Sequence, residues 1–93
     1  MSRYSPAEIE ARWQAAWEKD AVFKAVRSAD KPKYYVLEMF PYPSGAGLHA
    51  GHASVFTVND VAARFQRMQG KIVFNPFGFD SFGLPTENYA MKQ

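Results

Sequence analysis

Residues 33–52 read KYYVLEMFPYPSGAGLHAGH, and they give the strongest indication of the fold. An apolar run typical of a β-strand ends at Pro41 and Pro43, which have no N–H to donate to a sheet. A turn with small residues follows, and a helix-like pattern begins at residues 49–52, HAGH. A strand that leads through a tight turn into a helix presents backbone N–H groups to a phosphate. The stretch therefore predicts nucleotide chemistry on an α/β fold.

The composition limits what the rest of the chain does. Ninety-three residues allow one small domain at most, and a hydrophobic content of 47% is too high for a disordered chain. A net charge of +2 does not demand a nucleic-acid partner, and the absence of cysteine excludes disulfides and thiolate metal sites. No apolar run approaches the ~20 residues of a membrane helix, and no secretory signal is recognisable. We expect a cytoplasmic protein without a membrane partner.

Hydrophobic periodicity and chain breakers predict alternating helices and strands. The predicted elements are a helix over about 6–23, a polar connector over 25–32, a strand over 34–40, a helix over about 51–69, a strand over 72–74 and a helix beginning at 85–87. Ser5 and Glu8 would form a capping box on the first helix, and Gly70 would end the second. The order strand, helix, strand predicts parallel neighbouring strands with a right-handed crossover.

Two faces of these elements are predicted to be apolar. The strand over 34–40 is almost continuously apolar, as in strands covered on both faces. The second helix has one apolar face, formed by Val55, Val58, Val61, Ala62, Phe65 and Met68. Because two parallel strands do not form a stable sheet alone, we expect an N-terminal piece of a larger protein that begins at Met1. Residues 1–32 would be an N-terminal helix and connector, and residues 33–93 a first, incomplete βαβ unit.

The residues at the start of the second helix could bind a phosphate. His49 and His52 are three residues apart, so both would lie on roughly one face, beside the free N–H groups of the helix start. The alternative is a pair of ordinary histidines packed there; a metal site lacks a third ligand at suitable spacing. Gly51 would admit a base or phosphate close to the backbone, or would simply cap the helix. Gly45 and Gly47 would make the turn adaptable, or are only flexible loop residues.

A second group of residues follows the two strands, where α/β sheets place their ligands. Met39, Phe40 and Tyr42 could line an apolar pocket, or could be ordinary core residues. Asp80 stands among phenylalanines, and an acid is costly to bury unpaired, so we expect it to meet a cation. That cation is either a substrate ammonium or an Arg or Lys of the protein. Asn75 stands where a dinucleotide-binding protein would have an acid, which argues against that class.

The ordered combination of these motifs resembles a known family. HAGH after a strand and a proline-bearing turn is similar to the HIGH signature of the class I aminoacyl-tRNA synthetases. The wider text resembles the leucyl-tRNA synthetases of bacterial type over nearly the whole chain: MFPYPSGAGLHAGH at 39–52, TVNDVAARFQRMQG at 57–70 and GFDSFGLPTEN at 78–88. The HIGH-region residues are Pro41, Tyr42, Pro43, Ser44, Gly45, Leu48, His49, Ala50, Gly51 and His52. The resemblance implies the N-terminal part of a Rossmann-like, HUP-type catalytic domain.

The resemblance also implies site residues, substrates and partners. His49 and His52 would contact the phosphates of ATP, Gly47 would belong to the ATP site, and Gly51 would lie against the adenine. The leucine pocket would be bordered by Met39, Phe40 and Tyr42, with Asp80 holding the leucine ammonium. The implied enzyme is a monomeric leucine–tRNA ligase that uses ATP with Mg²⁺, leucine and tRNA(Leu). It would form leucyl-adenylate and then transfer the leucyl group to tRNA.

The chain departs from the family pattern at a few positions. Phe79 stands where the family usually has Trp, and Ser81 and Thr86 where alanine is common. Ala50 occupies the variable second position of HIGH, whereas Phe79 would reshape the leucine side of the pocket. The KMSKS loop, the editing domain and the anticodon-side helical domain of the family would lie beyond Gln93, so the isolated chain is expected to be inactive. The alternatives are an HxGH nucleotidyltransferase and a non-catalytic nucleotide-binding module.

Overall fold

The computed structural model describes residues 4–45 and 47–93. Its elements are helix α1 at Pro6–Asp20, strand β1 at Lys33–Tyr35, helix α2 at Ala50–Met68, strand β2 at Ile72–Phe74 and helix α3 at Leu84–Ala90. The predicted order of a helix, a β-α-β unit and a further helix is confirmed. The predicted start at Met1, and Ala46 of the predicted turn, lie outside the described residues.

The two strands pair in parallel, as predicted. Tyr34 lies opposite Val73, and one residue beyond the strand the N–H of Val36 still donates to the carbonyl of Phe74 at 2.9 Å. The prediction that the first strand continues to Phe40 is wrong. Pairing stops because its partner strand is short and Pro76, two residues after β2, has no N–H to continue the ladder.

Helix α1 ends earlier than its apolar pattern predicts. Ala21 adopts a left-handed conformation (φ 49°) and donates its N–H to the carbonyl of Glu18, so the helix ends at Asp20 rather than Phe23. This turn brings the ring of Phe23 back to that of Trp17, with centroids 5.2 Å apart in an edge-to-face arrangement. Ser5 occupies the N-cap, but the predicted capping box is wrong, because its side chain makes no capping hydrogen bond.

Two arginines of α2 hold this returning segment. The guanidinium of Arg64 lies 4.9 Å from the ring centroids of Trp17 and Phe23, and that of Arg67 lies 4.8 Å from Phe23. Arg64 also pairs with Asp60 one turn earlier, at 2.7 Å. Burial, together with the nearby charge of Arg64, lowers the pKa of Arg67. Cation–π contacts therefore attach the end of α1 to α2.

Helix α2 packs on the sheet with a face that periodicity does not single out. Ala63 is 2% exposed and packs with Val36 and Val73, because its small side chain lets the helix approach the strands closely. The predicted apolar face is largely exposed, with Phe65 at 55% and Met68 at 83%. The helix ends as predicted at Gly70 (φ 83°): the N–H of Gly70 bonds to the carbonyl of Arg67, and that of Lys71 to the carbonyl of Gln66, a Schellman motif.

The far face of the sheet is open within the described chain. Tyr35 and Phe74, neighbours on the two strands, stack with ring centroids 5.2 Å apart, and Tyr35 is 55% exposed. The prediction that β1 is covered on both faces is therefore not met by the described residues. None of the described helices has the length and apolar character needed to span a bilayer.

Candidate functional site

His49 and His52 both contribute side-chain hydrogen bonds to the cap of helix α2. His49 is the N-cap, and its Nδ1 accepts a hydrogen bond from the N–H of Gly51 at 3.0 Å. The N–H of His49 in turn donates to Nδ1 of His52 at 3.2 Å. The imidazole centroids are 3.9 Å apart, with the ring planes inclined by 43°. The spacing-based prediction that His49 and His52 lie together at the helix start is confirmed.

These hydrogen bonds fix the tautomer of each ring. A ring nitrogen that accepts a hydrogen bond carries no proton, so Nδ1 is unprotonated in both His49 and His52. The proton of each neutral ring is then on Nε2, which makes no hydrogen bond with the described residues and is available as a donor. The structural and the chemical interpretations of this pair are therefore compatible, since the Nδ1 atoms cap the helix and the Nε2–H groups can bind an anion.

The glycines of this region differ in the space they leave for a side chain and in their backbone conformation. A Cβ on Gly51 would lie 2.8 Å from Cε1 of His49, so the capping geometry leaves no room for a side chain there. Gly47 has a positive φ of 65° and donates its N–H to the carbonyl of Ser44, in a turn that other residues adopt with strain. Gly45 lies against the ring of Tyr89 on α3, where a Cβ would approach to 3.1 Å.

A second part of the site is an open cavity of about 470 Å³ between the two chain segments that follow the strands. Its lining residues are Leu37, Glu38, Met39, Phe40, Phe79, Asp80, Ser81 and Phe82. The structure thus brings Met39, Phe40 and Asp80 together, as expected for one pocket. Tyr42 is not among the lining residues. Two of the departures from the family pattern, Phe79 and Ser81, do line the cavity.

Asp80 is held by its backbone, and its carboxylate has no ion-pair partner among the residues that the structure describes. Its N–H donates to the carbonyl of Pro41 at 2.9 Å, and the hydroxyl of Thr86 lies 3.5 Å from its carbonyl oxygen. The side chain is exposed, so the premise that Asp80 is buried among phenylalanines is wrong. Among the described residues, the one ion pair joins Arg64 to Asp60 rather than any cation to Asp80. A protein cation for Asp80 is therefore not found in that part of the chain.

Aromatic rings connect the histidines to the cavity. The centroid of His52 lies 5.8 Å from that of Phe56, which is 5.5 Å from Phe77. Phe77 in turn contacts Phe40 at 6.4 Å and Phe79 at 6.0 Å. Sequence reasoning missed Phe56 and Phe77 as links. The spacing of four between His52 and Phe56 was the available signal, because residues i and i+4 share a helix face.

Comparisons with known proteins identify the family. A family model described as tRNA synthetases class I (I, L, M and V) matches residues 12–93. A leucine–tRNA ligase of Roseobacter denitrificans is 63% identical over 91 residues, which are 98% of this chain and 11% of that protein. A leucine–tRNA ligase of Chlamydia abortus is 57% identical over 90 residues, which are 97% of this chain and 11% of that protein.

A solved structure has the same fold. It is a crystal structure of the ternary complex of the agnB2 LeuRS of Agrobacterium radiobacter K84 with tRNA and LeuAMS. The TM-score is 0.87 at 44% sequence identity, over 97% of this chain and 12% of that one. The present chain thus spans about 11% of the length of the curated relatives that it matches. With a family model covering most of its residues, the chain belongs to the class I tRNA synthetases of the I, L, M and V group.

Proposed function

We propose that this chain is part of a leucine–tRNA ligase and carries its ATP-phosphate donors and part of its leucine pocket. The observation that carries the proposal is that two Nε2–H donors, and a carboxylate with no ion-pair partner among the described residues, lie along one chain of aromatic contacts. The high identity to leucine–tRNA ligases along almost the entire chain supports it. The division into a connector region over 1–32 and a catalytic βαβ unit over 33–93 is part of this proposal.

The proposed reaction has two steps. A carboxylate oxygen of leucine attacks the α-phosphorus of ATP, the bond to the bridging oxygen breaks, and pyrophosphate leaves. A ribose hydroxyl at the end of tRNA(Leu) then attacks the carbonyl carbon of leucyl-adenylate, and AMP leaves. Neither step needs a nucleophile from the protein, so positioning and electrostatic stabilisation supply the catalysis.

His49 and His52 would stabilise the charge that moves onto pyrophosphate. Their Nε2–H groups are donors whose orientation is already set by the capping bonds, so little reorganisation is needed when charge develops. The N-terminal end of α2 adds a favourable dipole for an anion. Gly47 and Gly51 would keep the backbone open to the nucleotide, with Gly51 against the adenine.

The cavity near Asp80 would hold leucine. An exposed carboxylate with no cation partner in the described part of the chain is suited to the leucine ammonium, and Met39 and Phe40 supply apolar surface beside it. Tyr42 keeps its proposed place at the pocket border from the resemblance alone. The remaining residues of the HIGH region would shape the turn between the histidine pair and the cavity near Asp80.

The described residues do not form a set of protein ligands for the Mg²⁺ that accompanies ATP. No group of three or more His, Cys, Asp or Glu side chains within residues 4–45 and 47–93 is arranged to hold a metal ion. The histidine Nδ1 atoms are occupied by backbone N–H groups, and a hard cation such as Mg²⁺ prefers oxygen ligands. No step proposed for these residues passes through a protein-bound ion.

The partners of the whole enzyme would be leucine, ATP and tRNA(Leu). The solved relative was crystallised as a LeuRS–tRNA–LeuAMS complex, which supports tRNA and a leucyl compound as ligands of this family member. The monomeric state and the cytoplasmic location stay predictions from the sequence.

ATP–pyrophosphate exchange on the complete gene product, assayed with several amino acids, tests the function. Leucine-dependent exchange is expected. Exchange driven best by another amino acid would refute the leucine assignment. Adenylyl transfer to a phosphopantetheine-like acceptor would indicate a nucleotidyltransferase, and ATP binding without exchange would indicate a non-catalytic module.

A further inference from the structure

The carbonyl of Val36 lies where the parallel ladder loses its next backbone donor. The N–H of Ile72 donates to the carbonyl of Pro32, and the N–H of Val36 donates to the carbonyl of Phe74. The hydrogen bonds of a parallel ladder repeat every two residues. The next bond would therefore join the carbonyl of Val36 to the N–H of residue 76, but residue 76 is a proline and has no N–H. Because Val36 is only 7% exposed, its carbonyl needs a substitute donor.

The side chain of Asn75 provides that donor. With its amide oriented to suit its neighbours, its nitrogen donates to the carbonyl of Val36 at 3.3 Å and to Oε1 of Glu38 at 3.2 Å. The two hydrogens of one amide group thus serve two acceptors on the segment that leaves β1. Asn75 therefore ties the end of β2 both to the end of β1 and to the side chain of Glu38.

The second oxygen of Glu38 reaches helix α2. Its Oε2 accepts a hydrogen bond from Nδ2 of Asn59 at 3.3 Å, in a half-buried position. Both carboxylate oxygens of Glu38 are therefore engaged by amide donors, one from each neighbouring element. We call Glu38, Asn59 and Asn75 the Glu38 network, and it joins the ends of both strands to the helix.

Glu38 is also part of the cavity wall. It lines the cavity of about 470 Å³ together with Asp80, Met39 and Phe40. The side of the cavity that follows β1 is thus anchored through Glu38, whereas the other side is anchored where the N–H of Asp80 bonds to the carbonyl of Pro41. The separation of the two walls depends on both anchors.

We propose that Glu38 is a positioning residue for the amino-acid pocket: held by Asn59 and Asn75, its carboxylate fixes the β1 wall relative to Asp80. The inference rests on the proposed function, because it assigns this pocket to the amino acid. A carboxylate suits the position, since it accepts at both oxygens, whereas a glutamine would turn an NH₂ group toward another NH₂ group.

The test compares single variants with an exchanged pair in the complete gene product. Glu38→Gln should raise the leucine KM about tenfold and leave the ATP KM unchanged, because one amide loses its acceptor. Asn59→Asp should do the same, because it sets two carboxylates against each other. In the combined Glu38→Gln/Asn59→Asp variant, the new glutamine accepts from Asn75 and donates to the new aspartate. The leucine KM should return to within about twofold of the unsubstituted enzyme.

The control is Glu18→Gln, which removes an exposed acid on α1 and should leave both KM values unchanged. If the leucine KM of the combined variant were as high as that of Glu38→Gln, the proposal would be overturned, because leucine binding would then depend on the charge of Glu38 itself. Single variants with an unchanged leucine KM would also overturn it.

Thermal unfolding separates this inference from the proposed function. If the unsubstituted protein shows no leucine-dependent exchange, the function has failed, but the network can still be tested by the Tm values of the same variants. Recovery of Tm in the combined variant supports the network, and additive losses of Tm refute it.

Discussion

Gly51→Ala is the substitution whose consequence the geometry defines most closely. A Cβ at this position would lie 2.8 Å from Cε1 and 3.0 Å from Nδ1 of His49, so the imidazole must rotate away. Rotation breaks the bond between Nδ1 of His49 and the N–H of Gly51. It also removes the Nε2–H of His49 from its present direction.

Stability and activity should respond very differently to Gly51→Ala. Loss of an N-cap costs about 0.5–2 kcal/mol of unfolding free energy. Replacing glycine by alanine within a helix returns about 0.5–1 kcal/mol, so the net change in stability is small. Displacing a donor that stabilises charge in the transition state costs on the order of 100-fold in rate. We therefore expect leucine-dependent ATP–pyrophosphate exchange to fall about 100-fold while Tm changes by only a few degrees.

Two comparisons make this prediction decisive. Gly78→Ala is the matched control, since its Cβ would meet the ring of Phe40 at an ordinary 3.6 Å. If the loss acts through His49, adding Gly51→Ala to His49→Ala should not lower kcat at saturating ATP any further, because the obstructing ring is gone. A new Cβ against the adenine would instead raise the ATP KM. An unsubstituted kcat in Gly51→Ala, or a further large loss of kcat in the double variant, would contradict the prediction.

Two further substitutions and one measurement on the isolated chain give direct tests. His52→Ala should lower adenylate formation on the order of 100-fold in the complete enzyme, and unchanged turnover would exclude its phosphate role. Asp80→Asn should weaken leucine binding far more than ATP binding when both KM values are measured; equal losses would mean that Asp80 is structural. The isolated 93-residue chain should not melt cooperatively as a monomer in calorimetry, because Met68 is 83% and Phe82 is 89% exposed; a sharp monomeric transition would contradict this.

Local signals predicted the parts of the fold that depend on neighbouring residues in the chain. The end of α2 follows from Gly70, which adopts the left-handed conformation that a Schellman motif requires. The order strand, helix, strand was sufficient to predict the parallel pairing. The end of β1 was not predictable in this way, because it depends on Pro76, which follows the other strand.

The packing face of α2 shows the same limit. Counting apolar residues favours the face that contains Phe65 and Met68, yet Ala63 packs on the sheet. Alanine contributes little to a hydrophobic pattern, but its small size decides how closely a helix approaches two strands. That selection depends on shape across the interface, which a one-dimensional pattern does not contain.

The sequence predicted which residues form the candidate site better than it predicted their hydrogen bonds. Spacing placed His49 and His52 together, but it did not predict that each Nδ1 accepts from the backbone. The opposite error occurred at Asp80, where neighbouring phenylalanines suggested burial and the side chain is exposed. Glu38 carried no motif at all, because its partners come from α2 and from the residue after β2.

The early end of the ladder at Pro76 has a consequence for how specificity could diverge. Beyond that proline, the segments that carry Met39 and Phe79 no longer form regular strand-to-strand hydrogen bonds. Substitution of side chains on these two segments is therefore expected to leave the register of the paired strands unchanged. If the cavity holds the amino acid, as proposed, its preference could change there while the paired strands beneath remain a constant scaffold.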